Sequence, residues 1–300
     1  MIYCLGPAGS YTGKAAEIFS KLINDKDIIY CNSIYEVFEL VDMEKEDNNI
    51  YGVVPSENSI EGSVSLTQDL LLEFPVKIYG EVDININHCL IGYDKNKIKK
   101  ILSHPQALAQ CRKYIKKHGW ETIPVLSTAK AVKKVFEMKN EEFGAIASKE
   151  TAELYNLKVL DEDIQDYPNN TTRFILIGNE NSKSLDNILK INELKSNENK
   201  ETNNDYNHNN QNHADNKLKQ KSTIILELKE NRPGALYDVL KEFNNRGINL
   251  TRIESRPSKR KLGNYIFYID YETPKDEDEL MGALKNHVSY IKHLGKYSIF

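Results

Sequence analysis

The sequence predicts an α/β fold with mostly parallel strands, followed by a smaller βαββαβ module. Three observations predict it. Short apolar runs alternate with amphipathic stretches up to about residue 178, the composition turns asparagine- and lysine-rich over 179–221, and a strand, helix, strand, strand, helix, strand pattern fills 222–300.

The runs Ile2–Leu5, Tyr51–Val54, Ile78–Ile86, Ile101–Ser103, Phe143–Ala147 and Phe174–Ile177 read as strands, with the intervening pieces as helices. Over Ser103–Gly119 the residues Ala107, Leu108, Cys111, Tyr114 and Ile115 recur at helical spacing. Pro105 suits a first turn and Gly119 an exit, so one helix is expected there. Strands alternating with helices place a ligand site at the strand carboxyl ends. Function is therefore sought in the loops just after strands.

The tract 179–221 contains Asn203-Asn204 and the run Asn207–Asn212 (NHNNQN), too polar to offset its chain entropy by burial. It reads as a flexible linker, with Leu185–Leu194 as one or two helical turns. Beyond it, Thr223–Lys229, Ile248–Glu254, Tyr265–Tyr271 and Tyr290–Ser298 read as strands. Pro233–Asn245, with Leu236, Val239, Leu240 and Phe243 on one face, and a stretch from about Asp276 to His287 read as helices. This ferredoxin-like order names no activity by itself.

Composition excludes several classes. The chain has 300 residues, enough for two domains with real cores, and its 40 Lys plus Arg against 44 Asp plus Glu give a net charge of −4, not the basic excess of a nucleic-acid binder. Met1–Pro7 has no basic n-region or apolar h-region, and no stretch approaches the ~18 apolar residues of a membrane span, so a cytoplasmic protein is expected. Cys4, Cys31, Cys89 and Cys111 lie far apart without a CxxC pair or a Cys/His cluster, so neither a disulfide nor a metal site is assigned. No HExxH, GxGxxG or Walker pattern is present.

Three loops carry candidate chemistry. Gly6–Thr12 (GPAGSYT) runs from a strand into a helix start, which offers backbone N–H groups and a positive dipole end to an anion; a plain turn with Ser10 or Thr12 as N-cap explains the same residues. Val54–Val64 (VPSENSIEGSV) leaves an apolar strand dense in short polar groups, suited either to a polar ligand or to Asx turns and caps. Asn169–Phe174 (NNTTRF) enters the last strand of the first domain. Residues 1–180 hold only two arginines, Arg112 and Arg173, and Arg173 stands beside two threonine hydroxyls, as an anion-binding fork or as a structural ion pair. His104 reads as a cap-region histidine. His208 and His213, Lys97–Lys100 and Lys259–Lys261 read as solvated.

Taken together, the motifs Gly6–Tyr11 (GPAGSY), Val54–Val64, Ser103–Ala107 (SHPQA), Gly144–Ser148 (GAIAS), Asn170–Phe174 (NTTRF), Gly234–Leu236 (GAL) and Glu254–Pro257 (ESRP) occur in an order that resembles the prephenate dehydratase family with a C-terminal ACT regulatory domain. The resemblance covers residues 1 to about 178 and about 222 to 300. It implies a two-lobed dehydratase domain similar to a type II periplasmic binding protein, with lobes of about 1–77 plus 165–178 and about 78–164, then the linker 179–221, then a ferredoxin-like ACT domain over 222–300.

It further implies decarboxylating dehydration of prephenate to phenylpyruvate in phenylalanine biosynthesis, with no cofactor and no metal. Thr172 is the implied catalytic residue, assisting the departing hydroxide. Ser10, Glu57, Asn58, Ser59, Asn170, Arg173 and Phe174 are the implied substrate-binding set, with Arg173 clamping or neighbouring a carboxylate and Glu57 orienting donors. Phenylalanine, the implied allosteric effector, would bind Gly234, Ala235, Leu236, Glu254, Ser255, Arg256 and Pro257 at an interface of a homodimer or homotetramer. Neither nucleic acid nor membrane is an expected partner. Tyr11 stands where phenylalanine is more usual, and the linker is longer than the family's short connection. No chorismate mutase segment precedes Met1, so a monofunctional chain is expected. Arogenate dehydratase is an alternative enzyme reading, and a non-catalytic amino-acid-sensing binding protein is an alternative of another class.

Overall fold

The computed structural model describes residues 1–44, 49–183, 185, 219–259 and 264–300. Of the expected linker helix only Leu185, which is buried, is among the described residues; the two linker histidines, Arg260 and Lys261 lie outside them. Chain contacts divide the protein into two compact units. The first comprises Met1–Leu40, Gly52–Gln68 and Val82–Phe174; the second comprises Val41–Tyr51, Asp69–Glu81 and Ile175–Phe300.

In the first unit, β1 (Ile2–Leu5) pairs in parallel with β2 (Ile28–Cys31), and α1 (Tyr11–Ile23) buries Ala15, Ala16 and Phe19 at helical spacing. Ser10 caps α1 by accepting from the Gly13 N–H. Beside β1 lies β3 (Tyr51–Asn58), followed by β11 (Thr171–Gly178). A tight turn returns β3 into β4 (Gly62–Ser63), with Asn58 opposite Gly62; Gly62 has φ +81°, a left-handed conformation that a side chain resists.

A separate five-stranded sheet has the order β10 (Lys158–Asp161), β6 (Cys89–Gly92), β9 (Phe143–Ala147), β7 (Lys100–Ser103), β8 (Glu121–Pro124). Strand alternation sorts its side chains to two buried faces. Cys89, Ile91, Leu102, Ala145 and Ala147 meet Ala131, Val132 and Val135 of α6 (Thr128–Met138). Leu90, Ile101 and Ile146 meet Ala107 of α4 (Pro105–Gln110) and Ile115 of α5 (Arg112–His118). β7 is parallel to both neighbours, but β6 is antiparallel to both of its own, so the sheet is mixed.

Two features differ from the pattern reading. The strands at 28–31, 121–124 and 158–161 escape it because each is short and partly exposed, which leaves no sustained apolar period; the buried strand at 89–92 also escapes it. The single helix expected over 105–118 is broken at Cys111. There the Asp166 N–H donates to the Gln110 carbonyl, and the Asp166 carboxylate takes the Lys113 N–H. A neighbouring segment thus takes up backbone groups that a continuous helix would have paired.

In the second unit, β12 (Gln220–Leu228), α8 (Ala235–Asn245), β13 (Leu250–Pro257), β14 (Tyr265–Glu272), α9 (Glu277–Leu284) and β15 (Val288–Ile299) give the expected βαββαβ order. The antiparallel order is β13, β14, β12, β15, and Ile224, Leu226, Val239, Phe243, Ile269, Leu280 and Leu284 form the core between sheet and helices. β15 extends into a parallel pairing with β5 (Lys77–Asn85) through Ser298 with Gly80 and Ile299 with Glu81. Gly295, at φ +125°, lets this strand pass the Ile78 carbonyl, which an added Cβ would meet at 2.7 Å. Lys221 Nζ lies 2.7 Å from Glu81 Oε1, with the two residues 5% and 1% exposed.

Candidate active site

A cavity of about 250 Å³ lies in the first unit, at the carboxyl ends of β1 and β7 and beside the entrance of β11. Two helices begin at its wall. Ser10 Oγ accepts the Gly13 N–H at 3.1 Å, leaving the first-turn N–H groups of Tyr11 and Thr12, both cavity residues, without an intrahelical acceptor. Ser127 caps α6 in the same way through the Lys130 N–H at 3.1 Å, and Ser127 and Thr128 line the opposite wall. The described lining residues include no lysine, arginine, aspartate or glutamate. An anion here meets helix dipoles and N–H groups.

Thr172 and Phe174 enter the cavity from β11, and Asn58 from the end of β3. Asn58 has one possible orientation. Its Oδ1 accepts the N–H groups of Ile60 and Glu61 at 3.0 and 3.1 Å, which closes the turn, so its Nδ2 must face the other way. From there Nδ2 donates to Asn170 Oδ1 at 2.7 Å and to Thr172 Oγ1 at 2.9 Å. With a lone pair of Oγ1 engaged by Asn58, the Thr172 proton is left to point elsewhere.

Asn170 is buried and carries this arrangement onward. Its Nδ2 donates to Gln110 Oε1 at 3.0 Å. Gln110 Oε1 also lies 2.8 Å from His88 Nε2, and Gln110 Nε2 donates to Glu61 Oε1 at 3.3 Å. His88 is 2% exposed, and burial holds its pKa below the usual histidine range, only partly offset by the Gln110 hydrogen bond. Burial also raises the Tyr11 phenol, which donates to the Asn87 carbonyl.

The structure thus brings Ser10, Asn58, Thr172 and Phe174 to one cavity and holds Asn170 directly behind it. Ser59 stitches the turn to β11 instead, donating its N–H to the Thr171 carbonyl at 2.8 Å and accepting the Thr171 N–H at 2.9 Å. Arg173 and Glu57 are not cavity residues. Because side chains alternate along β11, Arg173 points away from Thr172 and Phe174. Its Nη1 lies 2.8 Å from Glu57 Oε2 and its Nε 3.4 Å from Asp83 Oδ1. The ion pair, one of the two readings open for Arg173, is present in the structure.

In the second unit Gly234 takes φ +83° at the start of α8, where it leaves the first turn without a side-chain cap. Ala235 and Leu236 form that first turn. On β13, Glu254 and Arg256 share the more buried face, with Ser255 and Pro257 on the other. Arg256 Nη2 lies 2.8 Å from Asp69 Oδ1, and Lys259 Nζ 2.8 Å from Asp69 Oδ2, on α3 (Ser65–Glu73). Burial alone would raise the Asp69 carboxyl, but the two cations outweigh it and hold it below the usual range.

His88, Gln110 and Asp69 were not singled out from sequence. A signal existed for two of them. His88 takes the next in-phase position after Ile84 and Ile86 in an alternating run, just before Cys89-Leu90-Ile91, and Gln110 shares the helix face of Ala107 and Cys111, so each is a polar group at a position the pattern marks as buried. Asp69 lies among Thr67, Gln68 and Leu70 with nothing to mark it. Among the described residues no cluster of three or more His, Cys, Asp or Glu could hold a metal ion, and no helix is long and apolar enough to cross a membrane.

Comparison with known proteins agrees with this architecture. The family Prephenate dehydratase matches residues 2–182, and the ACT domain family matches residues 222–288. A prephenate dehydratase from Methanocaldococcus jannaschii is 55% identical over 303 residues, covering 100% of this chain and 98% of that protein. The crystal structure of prephenate dehydratase from Arthrobacter aurescens in complex with L-Phe superposes with a TM-score of 0.76 at 29% identity, covering 99% of this chain and 90% of that one. That from Staphylococcus aureus gives 0.74 at 27% identity, covering 99% and 100%. The chain belongs to the prephenate dehydratase family, an α/β dehydratase domain of the type II binding-protein class followed by a βαββαβ ACT domain.

Proposed function

We propose that this chain dehydrates prephenate with the hydroxyl of Thr172 as the group that assists the departing oxygen. The family reaction is a carbon–oxygen lyase step of phenylalanine biosynthesis. The bond to the ring carboxylate breaks with loss of carbon dioxide, its electron pair moves into the ring, and the C–O bond breaks with hydroxide taking its pair. The product, phenylpyruvate, has gained an aromatic ring. The driving force is therefore in the substrate, and the change is redox-neutral.

The observation that carries this reading is the hydrogen bond from Asn58 to Thr172 Oγ1. It occupies a hydroxyl lone pair and turns the proton toward a partner in the cavity, where a leaving oxygen gains negative charge. The first turns of α1 and α6, with Ser10 at one of them, supply N–H donors for substrate carboxylates. Phe174 gives an apolar wall for the ring. Glu57, Ser59, Asn170 and Arg173 hold β3 and β11 in register and act on substrate through that geometry.

Phenylalanine, the molecule bound in the Arthrobacter aurescens structure, is the proposed effector. Its proposed site comprises Gly234, Ala235, Leu236, Glu254, Ser255, Arg256 and Pro257. The strand β13 ends its sheet and suits pairing with a second copy, so a homodimer or homotetramer is proposed. Four buried cysteines without a disulfide fit a reducing cytoplasm. The test is formation of phenylpyruvate, followed by absorbance, with purified protein and prephenate, and a parallel reaction with arogenate. Turnover of arogenate but not prephenate would replace the substrate assignment; turnover of neither would leave only a binding function.

A further inference from the structure

We propose that His88 is a positioning residue for this reaction, the terminal donor of a buried side-chain chain through Gln110, Asn170 and Asn58 that fixes the direction of the Thr172 hydroxyl. The proposal rests on the function above. It assigns a role to a residue that meets neither Thr172 nor Asn58 directly.

The polarity of the chain follows from its ends. Gln110 Oε1 receives Asn170 Nδ2 at 3.0 Å, while Gln110 Nε2 points to Glu61 Oε1 at 3.3 Å. The group facing His88 is therefore an acceptor, and His88 Nε2, 2.8 Å away, carries the hydrogen. The other ring nitrogen, Nδ1, is buried with no hydrogen-bond partner among the described residues. A proton there would leave a buried cation with an unpaired N–H, so the neutral ring protonated at Nε2 is the form that fits. Burial favours the same neutral form.

Each link then dictates the next. With His88 and Asn170 both donating to Gln110 Oε1, the Asn170 amide has its nitrogen toward Gln110 and its oxygen toward Asn58. Asn58 gives one N–H to that oxygen and the other to Thr172 Oγ1. Without the His88 donor, Gln110 loses a reason to keep its oxygen inward. A rotated Gln110 amide would set its NH₂ against that of Asn170, and a rotated Asn170 would set NH₂ against Asn58. Every reversal costs a buried donor its acceptor, and with the Asn58 amide fixed by its turn the last one sets two NH₂ groups against each other, displacing Asn58 Nδ2 from Thr172 Oγ1 and freeing that hydroxyl to turn.

The test compares three substitutions. His88→Gln places an amide N–H close to the site of Nε2. His88→Asn keeps buried polarity but is too short to reach Gln110. His88→Leu removes polarity altogether. The expected result is a fall in kcat of about 10- to 100-fold for the Asn and Leu variants, as for small misplacement of a reacting group, with KM within about twofold and activity substantially restored in the Gln variant.

In a Thr172→Ala background the His88 substitutions should change the residual rate by less than about twofold, because they act through a hydroxyl that is gone. Equal activity of the Gln and Asn variants, or undiminished His88 effects in the Thr172→Ala background, would overturn the proposal. If the Leu variant fails to fold, the Gln and Asn pair still decides. Wild-type turnover of prephenate, measured first, separates failure of this inference from failure of the assigned function.

Discussion

Arg173 and Glu57 bind each other at 2.8 Å on the face of β11 turned away from Thr172. Both are partly buried, with side chains 24% and 32% exposed, and Asp83 adds a second carboxylate to the same guanidinium. The pair joins the strand that carries Thr172 to the strand that carries Asn58. Removing either partner should therefore have one shared effect. In a double-mutant cycle of Arg173→Lys and Glu57→Gln, the combined loss in kcat/KM should fall short of the product of the single losses, with a coupling of about 0.5–3 kcal/mol. A KM for prephenate that rises with Arg173→Lys alone, independently of Glu57, would return Arg173 to the role of carboxylate clamp.

Thr172→Ala should lower kcat by about 10²–10⁴-fold while the circular dichroism spectrum and the melting temperature stay close to wild type. Thr172→Ser keeps the hydroxyl and its acceptor position for Asn58, and should retain most of what the alanine variant loses. Near-normal turnover of the alanine variant would remove Thr172 from the mechanism.

Asp69 holds both Arg256 and Lys259. Arg256 belongs to the proposed phenylalanine site, and Asp69 sits on the helix that follows the Asn58 turn. Asp69→Asn weakens both ion pairs with little change in shape. The phenylalanine concentration for half-inhibition should rise roughly 5-fold or more, while kcat without phenylalanine stays near wild type. An unchanged inhibition curve would show that this pair contributes only to packing.

The Glu277 carboxyl gives the ACT domain an acid-sensitive element. Burial alone would raise its pKa, but hydrogen bonds from His293, Ser222 and Tyr271 outweigh it and bring the group to about 2 from an ordinary 4.5. A depressed folded value means that the ionised form stabilises the folded state. That stability is complete above pH of about 4.5 and is lost as pH falls toward about 2. Glu277→Gln should melt lower than wild type at neutral pH and lose less between about pH 5 and pH 2.5. Parallel melting curves for both proteins across that range would show that Glu277 does not titrate as described.

Much of the architecture was readable in the residues. The βαββαβ order follows from Val239 and Phe243 recurring on one helix face between strand-like runs, and the turn motifs at Ser10 and Asn58 mark two walls of the cavity. Arg173 shows a limit of motif reading. Adjacent residues of a strand face opposite ways, so Thr172-Arg173-Phe174 is two cavity residues and one residue outside it. Gln110 and His88 show another. Their meaning lies in partners 60 and 22 positions away in sequence, a proximity that no local period encodes. The break at Cys111 is of the same kind, since Asp166, whose carboxylate accepts the Lys113 N–H, lies 53 positions away in sequence.

The ion pair of Lys221 with Glu81 bears on how the enzyme could be released from the proposed feedback control. Glu81 lies in the dehydratase sequence and Lys221 in the first strand of the ACT sequence, and neither reaches solvent. Trimming the gene after the asparagine tract would abandon an anion without its counter-ion, a loss of about 3–5 kcal/mol for a pair of this kind, along with the backbone rung that β15 lends to β5. Deregulated variants should accordingly arise by point changes within an intact chain more readily than by truncation.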